Sequence, residues 1–172
     1  MAKSDAFFIR AKVTQAAASN DYVQASIDLG SYVNLGVSKS TLLRIHNIAV
    51  QINDENNKMS GPYKTGNVLN IGYQLTTQTQ TALVDLTDKS CVASGRYSVM
   101  VGANDEFFEA DVKDLMPQQW TKGYLIGTDT LFLAMDADQN SDAGAYELCI
   151  ALECTLENAT QSNSVALALS QS

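Results

Sequence analysis

Residues 146–157 read Tyr146-Glu147-Leu148-Cys149-Ile150-Ala151-Leu152-Glu153-Cys154-Thr155-Leu156-Glu157. Tyr146, Leu148, Ile150, Leu152, Cys154 and Leu156 are apolar or nearly so, and the residues between them are small or acidic. Alternation with period two, held over these 12 residues, predicts a long strand with one dry face and one wet face. A helix would smear the same leucines around its whole circumference. The chain therefore contains a sheet with a buried side.

The same alternation recurs on either side. Over 6–13, Phe7, Ile9, Ala11 and Val13 oppose Phe8, Arg10 and Lys12, and over 22–29, Val23, Ala25, Ile27 and Leu29 oppose Gln24, Ser26 and Asp28. In 42–52 both parities are apolar, with Leu42, Ile48, Val50 and Ile52 on one and Leu43, Ile45 and Ala49 on the other. That predicts a strand covered on both faces, central in its sheet or buried at a subunit contact. Further strands are expected at 68–76, 82–86, 97–101, 124–126 and 130–135. One helix is expected over 105–115: Asn104 or Asp105 can cap it, acids crowd its first turn, and Phe108, Val112 and Leu115 fall at i, i+4 and i+7. Pro117 stops it. Many short strands with one inserted helix and no fixed-period repeat predict an all-β chain, an antiparallel β-sandwich or barrel.

Composition fits one domain. The chain has 172 residues, 45% hydrophobic and 17% charged, enough to bury a core, with a body over 1–158 and a C-terminal arm over 159–172. The arm carries Val165, Leu167 and Leu169 between polar flanks, so it must pack on the body or on a neighbouring subunit. No apolar run reaches the ~20 residues of a membrane span. The start of the chain shows no signal-peptide core, which predicts a protein not secreted by that route. Cys91, Cys149 and Cys154 make an odd count, and Cys149 and Cys154 lie on opposite faces of one strand, so reduced thiols are expected.

The net charge of −8 is unevenly laid out. Residues 1–122 hold all 11 Lys and Arg with 12 acids, and residues 123–172 hold 7 acids and no Lys or Arg. The last third would repel a polyanion. Nucleic-acid contact is left to Lys3, Arg10 and Lys12 near the start, which are expected on a different side from Glu147, Glu153 and Glu157.

Catalytic patterns are missing from the sequence. His46 is the single histidine, and a packed or hydrogen-bonded strand histidine explains it without a catalytic partner. There is no nucleophile elbow, phosphate loop or Cys-x-x-Cys pair, so no enzyme is expected. One metal pattern stands out. Asp136, Asp138, Asn140, Asp142 and Glu147 fall at positions 1, 3, 5, 7 and 12 of a 12-residue window, the spacing of a calcium loop. Position 6 is Ser141 rather than Gly, and the flanks read as strands; a solvated hairpin loop is the other reading. No further cofactor is expected. Trp120 and Tyr124 are candidates to stack on a sugar, so a calcium-dependent glycan-binding β-sandwich module stands as the alternative function.

The layout resembles the single jelly-roll coat proteins of small icosahedral viruses. It shares a short N-terminal segment, about eight strands, and a helix (Asp105 to Leu115 here) between the fifth and sixth of them. Strands 130–135 and 146–157 would be the last two of the roll, with the arm after them. The resemblance implies a jelly-roll capsid subunit that assembles with copies of itself in the host cytoplasm and resides in the virion. Such proteins often begin with an Arg-rich arm that binds the genome. This chain has only Lys3, Arg10 and Lys12 there, which implies weak or indirect nucleic-acid contact.

Overall fold

A computed structural model describes residues 5–35, 39–102, 104 and 106–171. Nine strands form two antiparallel sheets: β1 (Phe7–Gln15), β2 (Val23–Asp28), β3 (Lys39–Asp54), β4 (Leu69–Thr76), β5 (Cys91–Val101), β6 (Phe107–Leu115), β7 (Tyr124–Ile126), β8 (Thr130–Ala137) and β9 (Tyr146–Thr160). One sheet runs β1-β9-β3-β7 and the other β2-β8-β4-β5-β6. Omitting β6, the strands pair from the chain ends inward: β1 with β9, β2 with β8, β3 with β7, β4 with β5. That is one long hairpin folded over on itself, the jelly roll.

β9 is the stretch quoted above. It pairs with β1 along Phe7–Gln15 and with β3 from Lys39 to Asp54. Tyr146, Leu148, Leu152 and Cys154 are fully buried. They meet Leu69, Ile71, Leu75, Leu131, Leu133 and Met135 of the other sheet in one core, the interdigitated inner faces of a sandwich.

Apolar residues on both parities of β3 have a local cause. The register slips between Ile45 and Asn47, so His46 is the extra residue of a β-bulge and the inward parity switches there. Leu43 and Ile45 face the core before it, and Ile48 faces it after. β3 is internal to its sheet, as expected; the bulge accounts for the switch to Ile48, while at Leu42 and Leu43, both buried, the strand is covered on both faces.

Three further expectations are corrected. Residues 107–115 form strand β6, in register with β5 from Met100↔Phe108 to Arg96↔Val112, not the helix expected over 105–115 (Asp105 itself lies outside the described residues). A spacing of four satisfies both periods: Phe108 and Val112 share a strand face as well as a helix face. Phe, Phe and Val prefer the strand once a partner is available. Residues 82–86 are not a strand but part of a loop over 77–90 that crosses the outside of β4. Gln74 holds it there, donating to the Ala82 carbonyl at 3.1 Å and accepting from the Val84 amide at 2.7 Å. The expected strand 97–101 begins earlier, at Cys91.

The tail is helix α1 (Gln161–Ser170). Buried Ser164 donates to Ser40 Oγ at 2.8 Å, and Gln171 fixes the far end. Gln171 is 3% exposed; its Nε2 donates to the Leu125 carbonyl at 2.7 Å, and its Oε1 accepts from the Gly127 amide at 2.8 Å. Its own carbonyl accepts from Thr77 Oγ1 at 2.6 Å. The side chain thus continues the edge of β7 as a strand residue would. Replacing its side chain leaves the Leu125 carbonyl and the Gly127 amide unpaired, at a cost of about 1–3 kcal/mol. Gln171→Ala is therefore expected to lower the unfolding free energy measured in urea by that much and to raise amide exchange across α1 while leaving β9 protected; equal exchange in both would show that the helix is not held this way.

Candidate functional site

The acidic loop between β8 and β9 does not gather its ligands. Asp138 accepts from the Asn70 amide at 2.9 Å and from Asn70 Nδ2 at 2.7 Å. Asn140 donates to the Ala18 carbonyl at 3.3 Å. Asp142 accepts from Lys64 Nζ at 2.7 Å and from the Thr65 amide at 2.9 Å, which hold its carboxyl below the usual range. Asp136 lies in β8 opposite Gly72 of β4, and Glu147 points from the wet face of β9 in the other sheet. Among the described residues no three His, Cys, Asp or Glu groups stand close enough to hold a metal. Asp138, Asn140 and Asp142 instead each hold the loop to a different neighbour, a use of turn-forming residues that suits a hairpin loop.

Glu147 is the most constrained of these groups. It is 2% exposed, yet it faces away from the core between Thr14 of β1 and Asn53 of β3. Lys12 and Lys58 reach over it, their ammonium groups 2.5 Å from Oε1 and Oε2. Those two hydrogen bonds, Lys12's first, outweigh burial and bring its carboxyl down to about 2. The pair was hidden in the sequence because its members lie 135 and 89 residues apart.

Other acids of the last third are also met by cations from the body. Arg44 forks onto Glu157, with Nη2 2.8 Å from Oε2, and Lys64 holds Asp142. The expected separation of charges is corrected as well. On the outer face of the first sheet Phe8 stands opposite Glu153, and Thr14 opposite Glu147, so Arg10 and Lys12 share one face with these acids. Arg10 is exposed and lies over the Phe8 ring, 5.6 Å from its centre. Lys3 lies outside the described residues.

His46 Nε2 is 2.8 Å from Thr155 Oγ1, a hydrogen-bonded strand histidine. Cys91, Cys149 and Cys154 are free thiols, and burial pushes Cys154 up to about 12. Trp120 is exposed on the turn after Pro117–Gln119, while Tyr124 is half-buried in β7. Val165 and Leu169 of the tail are exposed, and Leu167 is half-buried.

What remains open is the flank where β6 ends the second sheet. β7 pairs only with Leu43–Ile45 of β3, so the later half of β3 has no strand beyond it. Phe107, Tyr97, Val99, Met59 and Tyr63 line a cavity of about 470 Å³ there. A smaller one of about 140 Å³ adjoins Tyr73, Tyr97, Glu109 and Asp111. The Tyr73 hydroxyl is buried without a hydrogen-bond partner, and burial pushes Tyr97 up to about 12 with Glu109 adding to it. Sequence spacing missed this cluster, because a helix over 105–115 separates Glu109 from Asp111 and removes both from Tyr97.

No protein-family model and no curated protein matches the chain. Solved structures do. VP1 of New Jersey polyomavirus superposes with a TM-score of 0.52 at 7% identity, over 91% of this chain and 100% of that one. The two share a fold. VP1 of human polyomavirus 12, in complex with 3'-sialyllactosamine, gives a TM-score of 0.45 at 9% identity over 91% of this chain and 100% of that one. The subunit of a Merkel cell polyomavirus virus-like particle gives 0.41 at 9% identity over 92% and 75%.

The ion triad at Glu147 has a definite pH signature. Glu147 in the folded chain binds its proton less tightly than at the ordinary value of 4.5, so its contribution is complete above 4.5 and drains away as pH falls toward 2. Two charge-assisted hydrogen bonds to a buried carboxylate are worth about 2 kcal/mol here. Glu147→Gln should lower stability at pH 7 by that amount and flatten the unfolding-midpoint profile between pH 4.5 and pH 2, where the wild type falls; parallel profiles would remove the triad from the acid response.

Proposed function

We propose that this chain is a structural, self-assembling subunit: a coat protein that forms a viral shell by contacts between copies of itself, with the virion as its location. The observation that carries this reading is the nested pairing of eight strands into a jelly roll, with one added edge strand, shared over nearly the whole chain with a polyomavirus VP1. Fold alone hosts many activities, so the surface matters too. Phe8, Phe107, Phe108, Trp120, Val165 and Leu169 are all exposed large apolar side chains, spread over the sheet edges and the terminal helix as subunit contacts require. In this reading direct contact with a genome is weak, because Lys12 is committed to Glu147.

Electron microscopy and sedimentation velocity of the purified chain test this. Closed particles or rings of defined size at micromolar concentration are expected, and deleting residues 161–171 should shift the distribution toward smaller species by at least tenfold in half-assembly concentration. A stable monomer, indifferent to that deletion, overturns the reading.

A further inference from the structure

The two flanks of the sandwich are not alike. β1 ends the first sheet and β6 ends the second. β1 packs near β2, the other terminal strand on its own side, whereas β6 packs against β5 alone among the main element contacts. The two edges therefore lie on opposite sides of the molecule. Each is a strand of 9 residues without proline. An edge strand of that length presents a row of main-chain donors and acceptors that another chain can extend.

Their side chains are complementary. β1 carries Arg10 and Lys12 and no acid, while β6 carries Glu109, Asp111 and Asp114 against Lys113. Internal pairing narrows this. Lys12 serves Glu147, Asp114 takes Arg96, and Lys113 sits 2.9 Å from Asp111. A cation at Arg10 and a carboxylate at Glu109 remain, and with Lys113 set against Asp111 the β6 edge is still acidic on balance. Both strands also leave phenylalanine in water: Phe8 is 56% exposed, Phe107 63% and Phe108 49%. On β6 the two lie on opposite faces of the strand, and each keeps about half or more of its surface in water.

We propose that β6 of one copy docks along β1 of the next, a head-to-tail contact in which the acidic edge meets Arg10 and the exposed phenylalanines cover one another. This rests on the reading of the chain as a self-assembling subunit and names the surfaces it uses. A contact between two different edges is heterologous, so repeating it closes a ring or propagates. Apolar cover supplies the area, and charge selects the orientation and speeds encounter. Like edges repel, which disfavours β6 against β6 and β1 against β1.

Two variants make the test. Arg10→Glu gives a chain with both edges acidic; Glu109→Lys with Asp111→Lys gives one with both edges basic. Circular dichroism establishes that each is folded, and sedimentation velocity at low salt reads mass. Each variant alone should associate at least tenfold more weakly than the wild type, and an equimolar mixture should recover wild-type mass, because acidic and basic edges then alternate. Variants that assemble like the wild type, or a mixture that stays at monomer mass, overturn this contact while the wild type's own assembly leaves the subunit reading standing. A wild type that is monomeric throughout overturns both.

Discussion

The register of β9 between β1 and β3 is the constraint on which the rest of the molecule depends. Every second residue of β9 enters the core, and every other one faces the outer surface of the sheet. A slip of one residue against either neighbour would expose Leu148, Ile150 and Leu152 and drive Glu147 and Glu153 inward. Two neighbours paired along nearly their full length make that slip doubly costly. Once β1, β9 and β3 are fixed, the connections force β2 beside β8 and leave β4 and β5 as the tip of the folded hairpin. Jelly-roll topology is the consequence of one well-registered strand and its nested partners.

The same registration resolves the uneven distribution of charge along the chain. Seven acids in the last 50 residues look like a repulsive patch when counted in order. In the fold three of them sit beside cations that arrive from β1, β3 and the loop after it. Glu147, Glu157 and Asp142 are each met by a body Lys or Arg. Exposed pairs of this kind add little individually, but Glu147 differs because its carboxylate is buried while its lysines remain wet. Removing either charge type there leaves the other without compensation. Local balance, rather than the total, decides what the surface can touch.

How much was legible followed from the range of the interaction. Period two is local, so β1, β2, β4 and β8 could be read within a residue or two, and β9 runs three residues past its expected end. The bulge at His46 is also written locally, as a change of parity between Ile45 and Ile48, but the same letters suit a strand buried on both faces. Residues 107–115 were misread because Phe108 and Val112 satisfy either period and only pairing with β5 decides between them. The tail was recognised as sticky but not as helical. Its fixation depends on Gln171 reaching Leu125 and Gly127, a contact over more than 40 residues. The calcium-like spacing could be read locally, but the partners of Asp138, Asn140 and Asp142, each on a different segment, could not.

β6 is the element that the jelly roll does not need. Eight nested strands already enclose the core, and β6 adds no fully buried residue to it. Folding alone gives no reason to keep two adjacent phenylalanines on a strand whose faces both meet water, since each costs hydration free energy while exposed. A loop of the same length would join β5 to β7 more safely, without an edge that invites unwanted pairing. Its retention makes sense if the edge is covered in the assembled state, and the asymmetry of charge between β6 and β1 says which surface can cover it.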